Sequence, residues 1–400
     1  MSEPKTRVLF VDDEEFLLDG LRRLLRPHRN EWDMVFVNSG EKALELMARN
    51  PFDVVVSDMR MPSMSGTELL QRVQQLYPST VRLVLSGQAD KDDILTNVGP
   101  IHQFMQKPCN LNVLVNAVNR TCELGRLFKD KQLKSMITEL ESLPSLPSLQ
   151  AELLSKLNSE NVSTKDIGDS IGRDLGMTTK ILQMVNSSFF GLSRRVQTPA
   201  EAVLLLGLDT VRSLVIAMQV FSQIAGPPVR GFCERHLFEH SVEVATTAKL
   251  IAKCERMSEK EVENAYLAGL LHDVGKLVLA TYKPKQYAEV VSLVQQGAMT
   301  EAEAERQLIG ATHGEIGGYL LCLWAFSDSI VDAVIFHHVP LHHEANTFSE
   351  LTAVHVANAL VNSGKPRDDT AIDGVDMAYL SRLGLSNRLA MWNAIPRIAA

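Results

Sequence analysis

Three aspartates, a serine and a lysine in the first 107 residues are placed to handle a phosphoryl group. Asp12 and Asp13 follow one short apolar run and Asp58 closes another, while Ser86 and Lys107 follow two more. A carboxylate oxygen can attack phosphorus and form an aspartyl phosphate. Three carboxylates held together repel unless a cation neutralises them, and an all-oxygen set suits a hard ion such as Mg²⁺. The charge of the transferred group needs donors around it. Ser86 offers a hydroxyl and Lys107 an ammonium. A second chemistry lies further along. Most of the 11 histidines follow residue 235: His240, His272 beside Asp273, His313, the pair His337–His338, and His355. Imidazole with carboxylate suits Zn, Fe, Mn or similar ions. A lone His on an apolar helix is more often structural, but several with a His-Asp dyad are harder to dismiss. His342 and His343 read as solvated loop residues and His236 as structural.

The elements that must position these groups differ between the halves. Residues 7–11, 34–37, 52–58, 81–87 and 101–108 read as strands. Amphipathic stretches alternate with them: Leu17 to Leu25, Ala43 to Met47, Gly66 to Leu76, about 90–98, and Leu111 to about Leu127. Five strand–helix alternations predict a doubly wound α/β fold, a five-stranded parallel sheet covered on both faces. Its site would lie at the carboxyl ends of the strands. From Gly125 to Glu141 the chain is charged and helix-prone. It reads as a connecting helix continuing from the last one, and residues 111–140 are a candidate homodimer contact. Two prolines in LPSLPSLQ (143–150) break that helix. Beyond it, helical spacing runs to about residue 364 with no convincing strand. The segment from 365 to 400 carries helical pieces.

Composition narrows the function classes. The 400 residues are 45% hydrophobic and 22% charged, enough for two or three soluble domains. A net charge of −8 argues against gripping a phosphate backbone, so direct nucleic-acid binding is not expected. The most apolar stretch, 202–225, is interrupted by Asp209, Arg212 and Gln219, and a spanning helix needs about 20 apolar residues. The N-terminus lacks the layout of a signal peptide. The five cysteines are scattered without a CxxC pair, as in a reducing compartment. A cytoplasmic protein is expected.

The set VDDE (11–14), SDMRMPSMSG (57–66), LSG (85–87) and QKP (106–108) resembles the receiver domain of bacterial response regulators, over residues 5–125. The resemblance implies Asp58 as phosphoacceptor. Asp12, Asp13 and the Met59 carbonyl, with Asp58, would then hold Mg²⁺. Ser86 and Lys107 would sense the phosphate, Phe104 would be the switch aromatic, and a sensor histidine kinase would be the donor. The order of His240, His272–Asp273 in LHDVGK, His313 and His337–His338 resembles the HD superfamily of metal-dependent phosphohydrolases, all-helical proteins. That likeness implies Mn, Fe or Zn at these residues and Lys276 near a substrate phosphate. Two departures stand out: Asn358 occupies the place of the family's last Asp, and no GYP follows the paired His. LPSLPSLQ, the NSSFFG segment at 186–191 and AEAVLLLG (200–207) resemble the HDOD branch, which is regarded as regulatory. The expected layout is a receiver (1–124), a connector (125–142), an HDOD domain (143–364) and an extension (365–400). Its function would be signal transduction through a non-enzymatic output. The alternative is a phosphorylation-gated hydrolase of nucleotides or cyclic dinucleotides, and a third reading makes the cluster a nucleotide sensor.

Overall fold

The computed structural model describes residues 5–86, 101–107, 110–139, 156, 162–172, 199–208, 210–211, 229–344, 346–363 and 372–395. The chain divides into two compact units. One is Met1–Ser148 with Tyr319–Phe326, and the other Leu149–Gly318 with Ser327–Ala400.

In the first unit, β-branched runs form the five strands β1 (Thr6–Val11), β2 (Trp32–Val37), β3 (Val54–Asp58), β4 (Val81–Ser86) and β5 (Gln103–Gln106). They make one parallel sheet in the order β2-β1-β3-β4-β5. Near-continuous burial along β1 and β3 means that both faces are covered. Helices α1 (Glu15–Leu24), α2 (Gly40–Arg49), α3 (Gly66–Leu76) and α4 (Leu111–Gly125) follow β1, β2, β3 and β5. The strand order reverses between β1 and β3, so their carboxyl ends flank a crevice. Asp12 follows one and Asp58 ends the other. The helix expected over 90–98 lies outside the described residues.

The connecting segment departs from the continuous helix that the sequence suggested. α4 stops at Gly125, and α5 (Lys131–Glu139) starts afresh. Phe128 turns inward between them, 6% exposed, and Asp130 caps the new helix by accepting from the Gln132 amide at 2.8 Å. The apolar stripe of α5, Leu133 and Ile137, is buried within the chain.

The elements described in the second unit are helices: α6 (Thr164–Gly172), α7 (Pro199–Leu206), α8 (Glu234–Cys254), α9 (Glu259–Leu271), α10 (Val274–Tyr282), α11 (Pro284–Gln295), α12 (Glu301–Leu308), the start of α13 (His313–Leu323, counted with the first unit from Tyr319), α14 (Asp328–Phe336), α15 (Glu350–Asn362), α16 (Met377–Arg382) and α17 (Leu389–Asn393). Ser258 and Thr300 start α9 and α12 with capping boxes. The last two helices are anchored to this unit's core. Tyr379 meets Thr352 at 2.7 Å, and Glu255 accepts from Arg388 and from the buried Trp392. Among the described residues no helix is long and apolar enough to cross a membrane.

Candidate functional site

The crevice of the first unit collects an acidic pocket. Asp12 is 3% exposed. Its Oδ1 accepts from the Glu14 amide at 2.9 Å and its Oδ2 from Lys107 Nζ at 2.8 Å. The same Lys107 ammonium bonds Asp58 Oδ1, while Asp58 Oδ2 accepts from the Arg60 amide at 3.0 Å. Burial pushes the Asp58 carboxyl up against the pull of Lys107, and the Asp12 charge adds to the rise. Lys107 is raised although burial opposes it, because both carboxylates favour its charge. Asp13 is exposed. The Met59 carbonyl accepts from the Gly66 amide at 2.9 Å and keeps a second lone pair. Gly66 is required here, since a Cβ would lie 1.8 Å from the Asp58 carbonyl oxygen. Ser86 ends β4 opposite Gln106, and Phe104 pairs with Val84. The side chains of Ser86 and Phe104 lie outside the described residues. Three carboxylates against one ammonium leave a net negative, all-oxygen pocket, a donor set that fits Mg²⁺.

The second unit brings His240 from α8, His272 and Asp273 from the α9–α10 corner, His313 from the start of α13 and His337–His338 from the end of α14 into one cluster. His272, His313, His337 and Asp273 are at most 2% exposed. A carbonyl can only accept, so the contacts of His272 Nδ1 with Gly269 O and of His337 Nδ1 with Val334 O, both 2.7 Å, fix these nitrogens as donors. His313 Nδ1 lies 2.9 Å from the carboxylate of Glu305. Each Nε2 then turns inward: His313 Nε2 is 3.2 Å from Asp273 Oδ1, and His272 Nε2 is 3.3 Å from Asp273 Oδ2. His272 Nε2 and Asp273 Oδ1 are buried without a hydrogen-bond partner. Lone pairs converging on a carboxylate need a cation among them, so these residues fit a divalent metal. Without one, a proton takes that role on His313, which Glu305 and Asp273 push up to about 10 although burial opposes it.

Two acidic groups escaped the sequence reading. Glu305, fully buried on α12, also accepts from the His313 amide at 2.8 Å. Glu301, one turn earlier, holds Lys276 at 2.9 Å, and Lys276 reaches Asp273 Oδ2 at 3.0 Å. The i, i+4 acids ahead of GATH were the available signal. Asn358 accepts from His240 Nε2 at 3.1 Å and from Asn362 at 3.0 Å. His355 is structural: its Nδ1 donates to His337 O at 2.7 Å and its Nε2 accepts from the Asp376 amide at 2.9 Å. His342 is exposed, and His343, partly exposed beside it, meets Asp332 at 3.2 Å while its carbonyl accepts from Arg382. The NSSFFG segment lies outside the described residues.

The family descriptions "Response regulator receiver domain" and "HDOD domain" match residues 8–119 and 143–340. The hydrogenase transcriptional regulatory protein HoxA of Cupriavidus necator is 35% identical over 161 residues, covering 40% of this chain and 32% of that protein. The chain thus spans about a third of that relative's length. An HDOD domain protein of unknown function from Geobacter sulfurreducens is 26% identical with a TM-score of 0.50, covering 69% of this chain and 89% of its own. A candidate phosphohydrolase from Shewanella amazonensis is 26% identical with a TM-score of 0.51, covering 66% and 94%.

Proposed function

Because this chain joins a response-regulator receiver domain to an HDOD domain, the architecture of a two-component response regulator with a sensor kinase as its partner, we propose that Asp58 is the phosphoacceptor and that the HDOD domain is a non-enzymatic output. The observation that carries the first part is the Lys107 ammonium bonded to both Asp12 and Asp58 at the strand ends. An Asp58 oxygen attacks a phosphoryl group carried on a kinase histidine; the P–N bond breaks as the P–O bond forms. Asp12, Asp13, Asp58 and the Met59 carbonyl would hold Mg²⁺, which would supply charge neutralisation. Lys107 exchanges its bond to the Asp58 carboxylate for one to the phosphoryl oxygens. Ser86 supplies a hydroxyl to the same group, and Phe104 fills the space it leaves. The added charge biases a two-state element and so reaches the output. Incubation with a small phosphodonor in Mg²⁺ should label the wild type and leave Asp58→Asn unlabelled. Undiminished acid-labile labelling of that variant would refute the assignment.

The cluster supports a second reading, phosphohydrolysis. The unpartnered His272 Nε2 and Asp273 Oδ1 favour metal there. A metal at Asp273, His313, His337 and His338, or at His240, His272 and Asp273, would supply an activated water. Against turnover stand Asn358, a neutral group bound to His240, and Lys276, engaged by two carboxylates. Nucleotides and cyclic dinucleotides should remain intact with and without phosphodonor. Turnover that is lost in His272→Ala/Asp273→Ala would reverse the assignment of the output.

A further inference from the structure

The two oxygens of Asp273 face different surroundings. Oδ1 is 3.2 Å from His313 Nε2 and 3.8 Å from His337 Nε2, with His338 in the same group, and no hydrogen bond reaches it. Oδ2 faces His272 and, at 3.9 Å, His240, and it carries the Lys276 ammonium at 3.0 Å. One side is therefore met only by imidazoles, and the other already carries an ammonium.

The histidines differ in the same sense. His313 is held at Nδ1 and at its backbone amide by the buried Glu305 carboxylate, which presents Nε2 as a lone pair. The Asn358 oxygen takes a bond from Asn362 as well as from His240 Nε2. That oxygen is an acceptor, so His240 must carry its proton on Nε2, and the nitrogen facing the cluster has no lone pair to give. A carboxylate at 358 would remove this constraint, because it could ligate an ion beside a neutral His240.

Resting on the reading that this cluster holds metal, we propose that it binds one divalent ion per chain, among Asp273 Oδ1, His313, His337 and His338. The His240–His272 half is closed to a second ion by Asn358 and Lys276. Glu305 is the positioning residue of the open half.

The test uses the full chain stripped with chelator and titrated with Mn²⁺ in millimolar Mg²⁺, which fills the oxygen-only receiver pocket. Calorimetry and elemental analysis give the stoichiometry, and Mn²⁺ electron paramagnetic resonance reports whether ions are isolated or coupled. The wild type should take one ion with an isolated spectrum. Asn358→Asp, nearly isosteric, should take two coupled ions, and adding His240→Ala should return it to one. Glu305→Gln should weaken the single ion by about 10- to 100-fold. Two ions in the wild type, or one in Asn358→Asp, would overturn the asymmetry. No ion, with binding in His313→Ala/His337→Ala indistinguishable from the wild type, would remove the metal reading itself.

Discussion

The acidic pocket of the first unit and the histidine cluster of the second solve the same electrostatic problem with opposite resources. In the pocket, carboxylates crowd together and the chain supplies its own cation, Lys107, shared between Asp12 and Asp58. In the cluster, imidazole lone pairs crowd around a single carboxylate, and the chain's cation, Lys276, serves only one of its oxygens. A shared, part-exposed ammonium can be released when a new negative group arrives. A buried cluster whose other oxygen meets only imidazoles instead calls for a cation that stays. The first arrangement suits a switch and the second a fixed centre.

Both depend on a glycine that lets a helix start against a carbonyl. A Cβ on Gly66 would sit 1.8 Å from Asp58 O, and one on Gly275 would sit 2.0 Å from His313 O. Neither contact can be relieved by a side-chain rotation, because the obstacle is backbone. Gly66→Ala and Gly275→Ala are the largest local disruptions expected, each costing about 1–3 kcal/mol, as overpacking typically does. Thermal unfolding would measure the loss. Labelling should fall only in Gly66→Ala and metal uptake only in Gly275→Ala. A crossed or shared defect would break the separation between the two sites.

The pH response sharpens the same contrast. His313 is raised to about 10 from an ordinary 6.5. Its contribution to stability is therefore full below about pH 6.5 and is lost as pH rises toward 10. His240 is lowered to about 4, chiefly by burial and then by His272. Its contribution is full above pH 6.5 and is lost as pH falls toward 4. The metal-free chain should thus show its highest Tm near pH 6.5, read by calorimetry in chelator. Metal replaces the His313 proton, so saturating Mn²⁺ should flatten the alkaline limb. An alkaline limb unchanged by metal would count against His313 as a ligand. In the pocket, by contrast, the raised Asp58 carboxyl means that its charge costs stability at neutral pH, and Mg²⁺ should raise Tm there.

How much of this the sequence discloses follows from what kind of signal each feature leaves. Short β-branched runs ending in Asp, Ser or Lys place the pocket residues at strand ends, because a parallel sheet puts those ends together. The histidines are legible because few other patterns put so many on apolar helices. Glu305 leaves only a faint signal, its i, i+4 spacing from Glu301: EAEAERQL otherwise reads as a solvated helix, and only packing makes this glutamate fully buried. The break between α4 and α5 is hidden for a similar reason. Residues 125–130 are helix-compatible one by one, and the burial of Phe128 decides the turn. Asn358 was visible as a departure, but its hold on His240 is a tertiary fact.

The smallest effects should come from the helix starts that deliver each site. Ser65 caps α3 by accepting from the Glu68 amide at 3.2 Å, and Thr300 caps α12 by accepting from the Glu303 amide at 3.4 Å. Replacing either with Ala should cost about 1 kcal/mol, the usual loss of an N-cap. The consequences differ because the helices deliver different things. α3 starts at the glycine that abuts Asp58, whose own position is set by β3, so Ser65→Ala should lower Tm and leave labelling intact. α12 carries both Glu301 and Glu305 within its first two turns, so fraying there loosens the anchor of Lys276 and the orienting carboxylate of His313 together. Thr300→Ala should therefore weaken Mn²⁺ binding by a few-fold, up to the roughly tenfold that about 1.4 kcal/mol represents, and Thr300→Ser should restore it. Weakening that Ser does not rescue would place the effect in lost threonine packing rather than in the cap.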